Sequence, residues 1–293
     1  MIEIKVPATS ANVGPGFDTF GMALNIFNTF YVDNSDDLNI ENVDDKFKNR
    51  GNLFVVAYDK TLEYKGIFEK KGLYLKFENI QIPISRGLGS SSSLVVGGVI
   101  AANNLHNLNL SEKELLQICN NIEGHPDNVA PCLLGSFVTS VVNEFEISHY
   151  KKIKVHDKFF FTVMIPDFKV ETLEARKVMP KYIEIKDAIY SMSRAISLCF
   201  ALQEGDERAL NCSFEDKIHE PYRKNLIPDF ENLKKEALEK GALAFIISGS
   251  GSTCLAISTD KNFSSKINLE NFKANWELLD CSVCEEGATV KNI

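Results

Sequence analysis

The residues Pro83-Ile84-Ser85-Arg86-Gly87-Leu88-Gly89-Ser90-Ser91-Ser92-Ser93 have the composition of an anion cradle. Glycines let backbone N–H groups crowd toward one point, serine hydroxyls add donors, and the start of a helix contributes partial positive charge. Such a loop suits a polyphosphate, and a hydroxyl from Ser90, Ser91 or Ser92 can also serve as an oxygen ligand to its Mg²⁺. No lysine follows the second glycine as in a Walker loop, and no Val-Ala-Ile-Lys strand follows as in protein kinases. A Ser-rich turn capping an ordinary core helix has the same composition, so the loop alone leaves both readings open.

Glu123 is the next residue with chemistry to offer. A carboxylate in the last turn of a helix meets the negative end of the macrodipole, which disfavours it by a few tenths to about 1 kcal/mol. Either it is an exposed glutamate indifferent to this or a cation offsets the clash. His125 and Asp127 form a His-x-Asp that is commonly a turn, and Asn128 beside them cannot take a proton at neutral pH. Arg176 and Arg223, taken singly, have the character of surface ion pairs.

Two more Gly/Ser loops frame these residues. One is Pro7-Ala8-Thr9-Ser10-Ala11-Asn12-Val13-Gly14-Pro15-Gly16-Phe17-Asp18, and the other is Ser248-Gly249-Ser250-Gly251-Ser252-Thr253. Three such loops, at the start, after the first quarter and near the end, resemble the three motifs of the GHMP small-molecule kinases. That family phosphorylates galactose, homoserine, mevalonate and phosphomevalonate. The continuation Thr19-Phe20-Gly21-Met22-Ala23-Leu24 and the stretch Glu123-Gly124-His125-Pro126-Asp127-Asn128-Val129-Ala130-Pro131 are similar to its homoserine kinase branch. The likeness runs from Ile4 to about Ile257, nearly the whole chain.

This resemblance implies a two-lobed α+β fold with the active site in the cleft between the lobes. A two-layer α+β ATP-binding lobe would occupy residues 1–150 and a ferredoxin-like lobe residues 151–293. The implied reaction transfers the γ-phosphoryl of ATP to the hydroxyl of L-homoserine, in threonine biosynthesis, with Mg²⁺ as cofactor. ATP would lie on Pro83, Arg86, Gly87, Leu88, Gly89, Ser90, Ser91 and Ser92, with Mg²⁺ on Glu123 and a loop serine, Ser91 before Ser90. His125, Asp127 and Asn128 would form the hydroxyl-acceptor segment. Some relatives carry an aspartate base where Asn128 stands, so the mechanism implied here is positioning and electrostatics, with Asp127 the residue that would challenge it. Asn12 and Asp18 would hold the ammonium end, Thr172, Arg176 and Arg223 the carboxylate end, and Gly249 would meet substrate backbone-first. Ser250 and Ser252 stand where Ala and Pro are common in the family. A homodimer is also implied.

The elements that must position these residues are short strands and helices mixed rather than alternating, which reads as α+β. Ile2-Glu3-Ile4-Lys5-Val6 alternates as a strand ending at Pro7, and residues 26–32 are rich in β-formers. Residues 75–82 form a strand into the phosphate loop, and residues 94–102 a buried helix out of it. Residues 33–50 are polar and acidic and read as a surface excursion. A capping box, Ser111 with Glu114, opens a helix that Gly124 and Pro126 end. Residues 151–158 form a charged boundary before the core strand 159–165. Ile189, Met192, Ile196 and Cys199 share one face of a helix over residues 188–202. Asp229 begins a helix stopped by Gly241, and residues 242–247 form a buried strand into the third loop, which also suits a tight hairpin.

The bulk properties narrow the class. A chain of 293 residues with 44% hydrophobic content can bury a sizeable core. Its net charge of −8 argues against a nucleic-acid partner and obliges any ATP site to gather positive potential locally. The start lacks a signal-peptide core, and the longest apolar run is half a membrane span, so a cytoplasmic protein without a membrane partner is expected. Seven scattered cysteines suit reduced thiols, and Cys281-Ser282-Val283-Cys284 lacks the second pair of a zinc site. Two rival readings remain at this level. One is a GHMP kinase for an isoprenoid alcohol, which would have no ammonium for Asp18. The other is a non-catalytic sensor, which would tend to lose Glu123 or the loop serines.

Overall fold

The alternation at the start of the chain becomes β1 (Ile2–Ala11), with Ile2, Ile4 and Val6 buried. It pairs antiparallel with the long β2 (Phe20–Ser35), and the register shifts between Pro7 and Ala8. Pro7 has no N–H to give the ladder, so a bulge in the middle of the strand absorbs it. The computed structural model describes residues 1–143, 146–270 and 272–293, with Ser148 described for its backbone alone.

After β3 (Leu38–Glu41) and a 3₁₀ turn at Asp45–Phe47 come α1 (Leu53–Tyr64) and β4 (Gly72–Ile80). Helices α2 (Ser90–Leu105), α3 (Glu112–Glu123) and α4 (Pro126–Leu134) follow, then β5 (Phe137–Asn143) and β6 (Glu146–Ile153). With the last strand, β11 (Thr289–Asn292), these strands make one sheet, in the order β11-β1-β2-β4-β3, with β5 joined to β2 and β6 to β5. Its helical layer buries Phe54, Tyr58, Val95, Val99 and Leu116 against Ile4, Phe30 and Leu75 of the sheet. The capping box forms as the sequence predicts, Ser111 accepting from the Glu114 N–H and Glu114 from the Ser111 N–H, and Gly124 ends α3 in the left-handed region.

The second sheet holds β7 (Phe160–Pro166), β8 (Ala244–Ile247), β9 (Cys254–Ser258) and β10 (Trp276–Cys281), in the order β10-β7-β9-β8. All its pairings are antiparallel, the fourth-first-third-second order of a β-α-β-β-α-β ferredoxin-like lobe. Its helices are α5 (Thr172–Lys177), α6 (Ile185–Glu204), α7 (Glu207–Ser213), α8 (Glu220–Arg223) and α9 (Phe230–Glu239). One face of this sheet packs on α9 through Phe230, Leu233, Phe245 and Trp276. The other packs Phe161, Val163 and Leu255 against α6 and against Ala8, Met22 and Leu24 of the first sheet, so the lobes share a core.

Two features differ from the sequence expectations, and a third settles what the sequence left open. The first sheet runs past residue 150, through β6 to Ile153, and the last strand, β11 (Thr289–Asn292), returns to pair with β1. Residues 33–50 are more than an excursion, because β2 extends to Ser35 and β3 adds a parallel partner to β4. Helix α6 has the expected periodicity, but Ile189, Met192 and Ile196 face solvent while Leu198, Ala201 and Leu202 face the core.

Candidate active site

The phosphate loop is held by close backbone approach. Gly89 caps α2 with φ of 71°, and no side chain caps the helix for it. A Cβ at Gly89 would fall 2.0 Å from Thr9 Oγ1, so only glycine lets the loop lie against β1. The Leu88 carbonyl accepts from the Thr9 N–H at 3.1 Å and fixes that approach. The first N–H groups of α2 have no helical acceptor, and Gly89, Ser90, Ser91 and Ser92 line a cleft of about 810 Å³.

The third loop braces the second. Thr253 N–H donates to the Arg86 carbonyl at 3.1 Å, and the Ser248 hydroxyl donates to the Gly87 carbonyl at 2.6 Å. Gly249 N–H donates to Ala11 at 2.9 Å, so all three Gly/Ser loops are bonded to one another at the base of the cleft. The turn is also the hairpin its composition suggested, linking β8 to β9. Arg86 lines the cleft, yet its guanidinium donates to the carbonyls of Pro166 at 3.0 Å and Asp167 at 3.1 Å. Pro83 and Leu88 do not line the cleft, and Leu88 is 1% exposed, packed into the core the lobes share.

Glu123 lies beside this loop. The Ser91 hydroxyl donates to its Oε2 at 3.0 Å and the Ser92 hydroxyl to its Oε1 at 3.1 Å. The positive start of α2 therefore relieves the clash that the end of α3 creates. One carboxylate and one hydroxyl, both hard oxygen donors, are what Mg²⁺ takes from protein when phosphates and water supply the rest. Ser91 and Glu123 fit that ion. Among the described residues no group of three or more His, Cys, Asp or Glu side chains could hold a metal without such help.

The other charged residues gather where α4, α5 and α8 converge. Asn12 and Asp18 have φ of 54° and 52°, a region their short side chains tolerate, and the Asp18 N–H donates to Asn12 Oδ1 at 2.8 Å. Arg176 grips Asp18 with both terminal nitrogens, at 3.1 and 3.0 Å. Arg223 is 2% exposed, donates to the carbonyls of Gly249 at 2.9 Å and Ala175 at 3.4 Å, and lies over the Phe17 ring. Burial lowers its pKa, Asp18 opposes that, and a guanidinium stays charged regardless. Thr172 and Gly249 complete this wall of the cleft.

Opposite stands the start of α4. Gly21 permits it, since a Cβ there would fall 1.7 Å from the Asp127 carbonyl oxygen. His125 Nδ1 and Asp127 Oδ1 are 2.5 Å apart, with Asp127 buried. Burial opposes a charge on His125, but the Asp127 hydrogen bond and charge, with Glu123, outweigh it and raise its pKa above the ordinary 6.5. Asn128 Oδ1 accepts from the Thr9 hydroxyl at 2.7 Å, which leaves its Nδ2 to face the cleft. Sequence reasoning assigned Thr9 no role, and its place in the first Gly/Ser loop was the available signal. It also missed the apolar end of the cleft, formed by Val43, Phe47, Leu53, Phe77 and Leu94. Those residues come from four separate segments and share no periodicity.

A polyphosphate cradle at one end of a cleft, and a walled pocket of opposed charges at the other, define a small-molecule phosphotransferase of the GHMP kinase class. The GHMP kinases N terminal domain matches residues 52–136 and the GHMP kinases C terminal domain residues 201–273. Homoserine kinase of Clostridium botulinum (strain Okra / Type B1) is 41% identical, covering 100% of this chain and 99% of its own. The crystal structure of homoserine kinase from Cytophaga hutchinsonii superposes with a TM-score of 0.89 at 31% identity, over 99% of this chain and 97% of that one. Mevalonate kinase of Methanococcus jannaschii shares the fold, with a TM-score of 0.70 at 19% identity, over 97% and 98% of the two chains. The chain belongs to the homoserine kinase family.

Proposed function

We propose that this enzyme transfers the γ-phosphoryl of ATP to the hydroxyl of L-homoserine, giving O-phospho-L-homoserine and ADP for threonine biosynthesis. The observation that carries this reading is the Asp18–Arg176 pair on the cleft wall, with Arg223 behind it. An amino-acid zwitterion presents an ammonium and a carboxylate, and these two partners offer its complement. An isoprenoid alcohol would leave Asp18 without a cation other than Arg176.

ATP phosphates lie on Gly87, Gly89 and the first turn of α2, with the base toward Val43, Phe47 and Leu53. Ser91 and Glu123 would hold Mg²⁺, which when bound would neutralise charge on the phosphates. The start of α4 sets the acceptor hydroxyl in line with the γ-phosphorus. Asn128 Nδ2 donates to that oxygen and Thr9 fixes the amide's orientation. Asp127 is engaged by His125, so its carboxylate is not free to serve as base. The bond from the γ-phosphorus to the β–γ bridging oxygen breaks as the new O–P bond forms, and the hydroxyl proton leaves to the transferred phosphoryl or to water. A loose transition state needs little nucleophilic push, so positioning and fixed charge suffice. Seven free cysteines support a reducing, cytoplasmic setting, and the enzyme works there as a homodimer.

ADP release with Mg²⁺-ATP tests this against L-homoserine, D-homoserine, L-serine and mevalonate. Turnover confined to L-homoserine is expected. Arg176→Ala is the sharper probe, because Arg223 is buried and also holds Gly249 and Ala175 in place. It should lower kcat/KM for homoserine by roughly 30- to 150-fold, or about 2–3 kcal/mol, with little change in the KM for ATP. Turnover of mevalonate, or equal losses for both substrates, would refute the zwitterion site.

A further inference from the structure

Among the β-formers of residues 26–32 one residue is out of character. Asn28 lies inside β2, between β1 and β4, and is 1% exposed. Asparagine is depleted in strands, and an amide buried there costs stability unless its polar atoms are paired. Both of them are. Its Oδ1 accepts from the Gln81 and Ile82 N–H groups, at 3.0 Å each, and its Nδ2 donates to the Ser93 hydroxyl at 2.9 Å. Two converging N–H groups admit only the oxygen at that end, which fixes the orientation of the amide. Ser93 is fully buried and passes the bond on, its hydroxyl donating to the Ser90 carbonyl at 2.8 Å. The Ser93 N–H closes the first turn of α2 on the Gly89 carbonyl at 2.9 Å.

We propose that Asn28 is a positioning residue for phosphoryl transfer, clasping the entry of the phosphate loop to its exit and so fixing where the loop's donors point. This role rests on the reading above that the loop takes the ATP phosphates; it does not depend on which alcohol accepts the phosphoryl. The entry is where the chain leaves β4, just past the rung that pairs Asn28 with Ile80. One amide oxygen with two lone pairs serves both N–H groups there. The exit is the first turn of α2, which Ser93 holds. Between these two points, Pro83 to Ser92 carry the glycines and serines that meet the cleft. The first and third loops brace only the middle of that segment, through the carbonyls of Arg86, Gly87 and Leu88. Without the clasp the middle stays anchored, while the first N–H groups of α2, and Ser91 beside Glu123, lose their fixed direction. Such donors stabilise developing charge because they are already aimed at it, so their rigidity matters more in the transition state than in the ground state. The acceptor wall is carried by the first loop, α5 and α8, so the clasp acts on one end of the cleft.

Steady-state kinetics of the full chain with Mg²⁺-ATP and L-homoserine test this. Asn28→Ala should raise the KM for ATP and lower kcat, a loss in kcat/KM for ATP of roughly 10- to 100-fold, with the KM for homoserine within about twofold. Ser93→Ala should show the same split at smaller size. The double variant should lose no more than Asn28→Ala alone, because both changes cut one chain of bonds. Asn28 borders the cleft and Ser93 does not, so the Ser93→Ala result separates the clasp from a direct contact between Asn28 and the nucleotide. Calorimetric titration with Mg²⁺-ATP alone should show the same weakening, which needs no acceptor. Should Asn28→Ala fail to fold, Ser93→Ala decides on that titration and on the split between the two KM values. A lowered melting temperature with wild-type kinetics, equal rises in both KM values, or a Ser93→Ala enzyme indistinguishable from wild type overturns the proposal. Any of these beside normal homoserine turnover by the wild type would sink the clasp and leave the kinase reading standing. A wild type inactive on homoserine, whose variants still bind Mg²⁺-ATP more weakly, would do the reverse.

Discussion

At the scale of single residues, the site turns on which charges are already satisfied before substrate arrives. Asp18 and Arg176 neutralise each other across the pocket, so a zwitterion exchanges one set of ion pairs for another instead of desolvating bare charges. His125 is the titratable group whose state this environment sets most clearly. Its pKa is raised because Asp127 outweighs the burial that opposes its charge. Histidine NMR titration should therefore place His125 above 6.5, and in Asp127→Asn below it, since burial is the largest single influence and only the Glu123 charge then opposes it. A value that stays raised in Asp127→Asn would assign the shift to Glu123 instead. The linkage follows the same sign. The unfolded histidine keeps the lower pKa, so the pair's stabilisation is complete below about 6.5 and is lost as pH rises through the folded value. Arg223 makes a different point. Its charge faces the cleft, yet its main-chain bonds make it part of the frame, a dual role no motif distinguishes.

At the scale of elements, α8 shows how a four-residue helix can be held firmly enough to aim an arginine. Asp216 accepts from the N–H groups of Ile218, His219 and Glu220, and from the Ser191 hydroxyl on α6. His219, one turn on, reaches the Gly14 carbonyl at 2.9 Å and stacks on Phe17, which ties the first Gly/Ser loop to the same frame. Asp216→Asn removes charge-assisted bonds to three backbone donors. It should raise the KM for homoserine at least tenfold with the KM for ATP within about twofold, while lowering stability by about 2 kcal/mol. Equal rises in both would mean that α8 positions the whole cleft and not its acceptor end. Elements of this kind set the limit on what the sequence discloses. The phosphate loop and the start of α4 are legible because glycine, serine and proline have backbone meanings at fixed spacing. The grip of Asp216 is not, because its partners are main-chain N–H groups, which every sequence has. The apolar end of the cleft is hidden for the opposite reason, since Val43, Phe47 and Phe77 meet only once β3 and β4 pair. In α6 the helical period was plain, but period alone does not say which medium the apolar face meets.

At the scale of the whole molecule, the two lobes are not independent bodies hinged at the cleft. Ala8, Met22 and Leu24 of the first sheet share a core with Phe161, Val163 and Leu255 of the second. The chain then crosses back, so that β11 closes the edge of the sheet on which it began. Arg86 adds a polar tie, from the phosphate loop to the Pro166 and Asp167 carbonyls at the end of β7. With apolar surface, backbone crossing and hydrogen bonds all spanning the division, losing one lobe strips the other of part of its core. Unfolding should therefore be a single cooperative event. Differential scanning calorimetry should show one endotherm whose van't Hoff and calorimetric enthalpies agree for each folding unit. Met22→Ala places a cavity in the shared core, where Met22 has no solvent exposure, and should destabilise by about 2–5 kcal/mol while keeping one endotherm. If that variant instead splits the transition, the lobes fold separately and the shared core is only a contact between them. Were that so, the ATP and acceptor ends of the cleft would be set by two scaffolds, and in-line geometry would have to be assembled by the substrates. A single endotherm moved to lower temperature means that the packing which folds the chain also holds the three loops in register before either substrate binds.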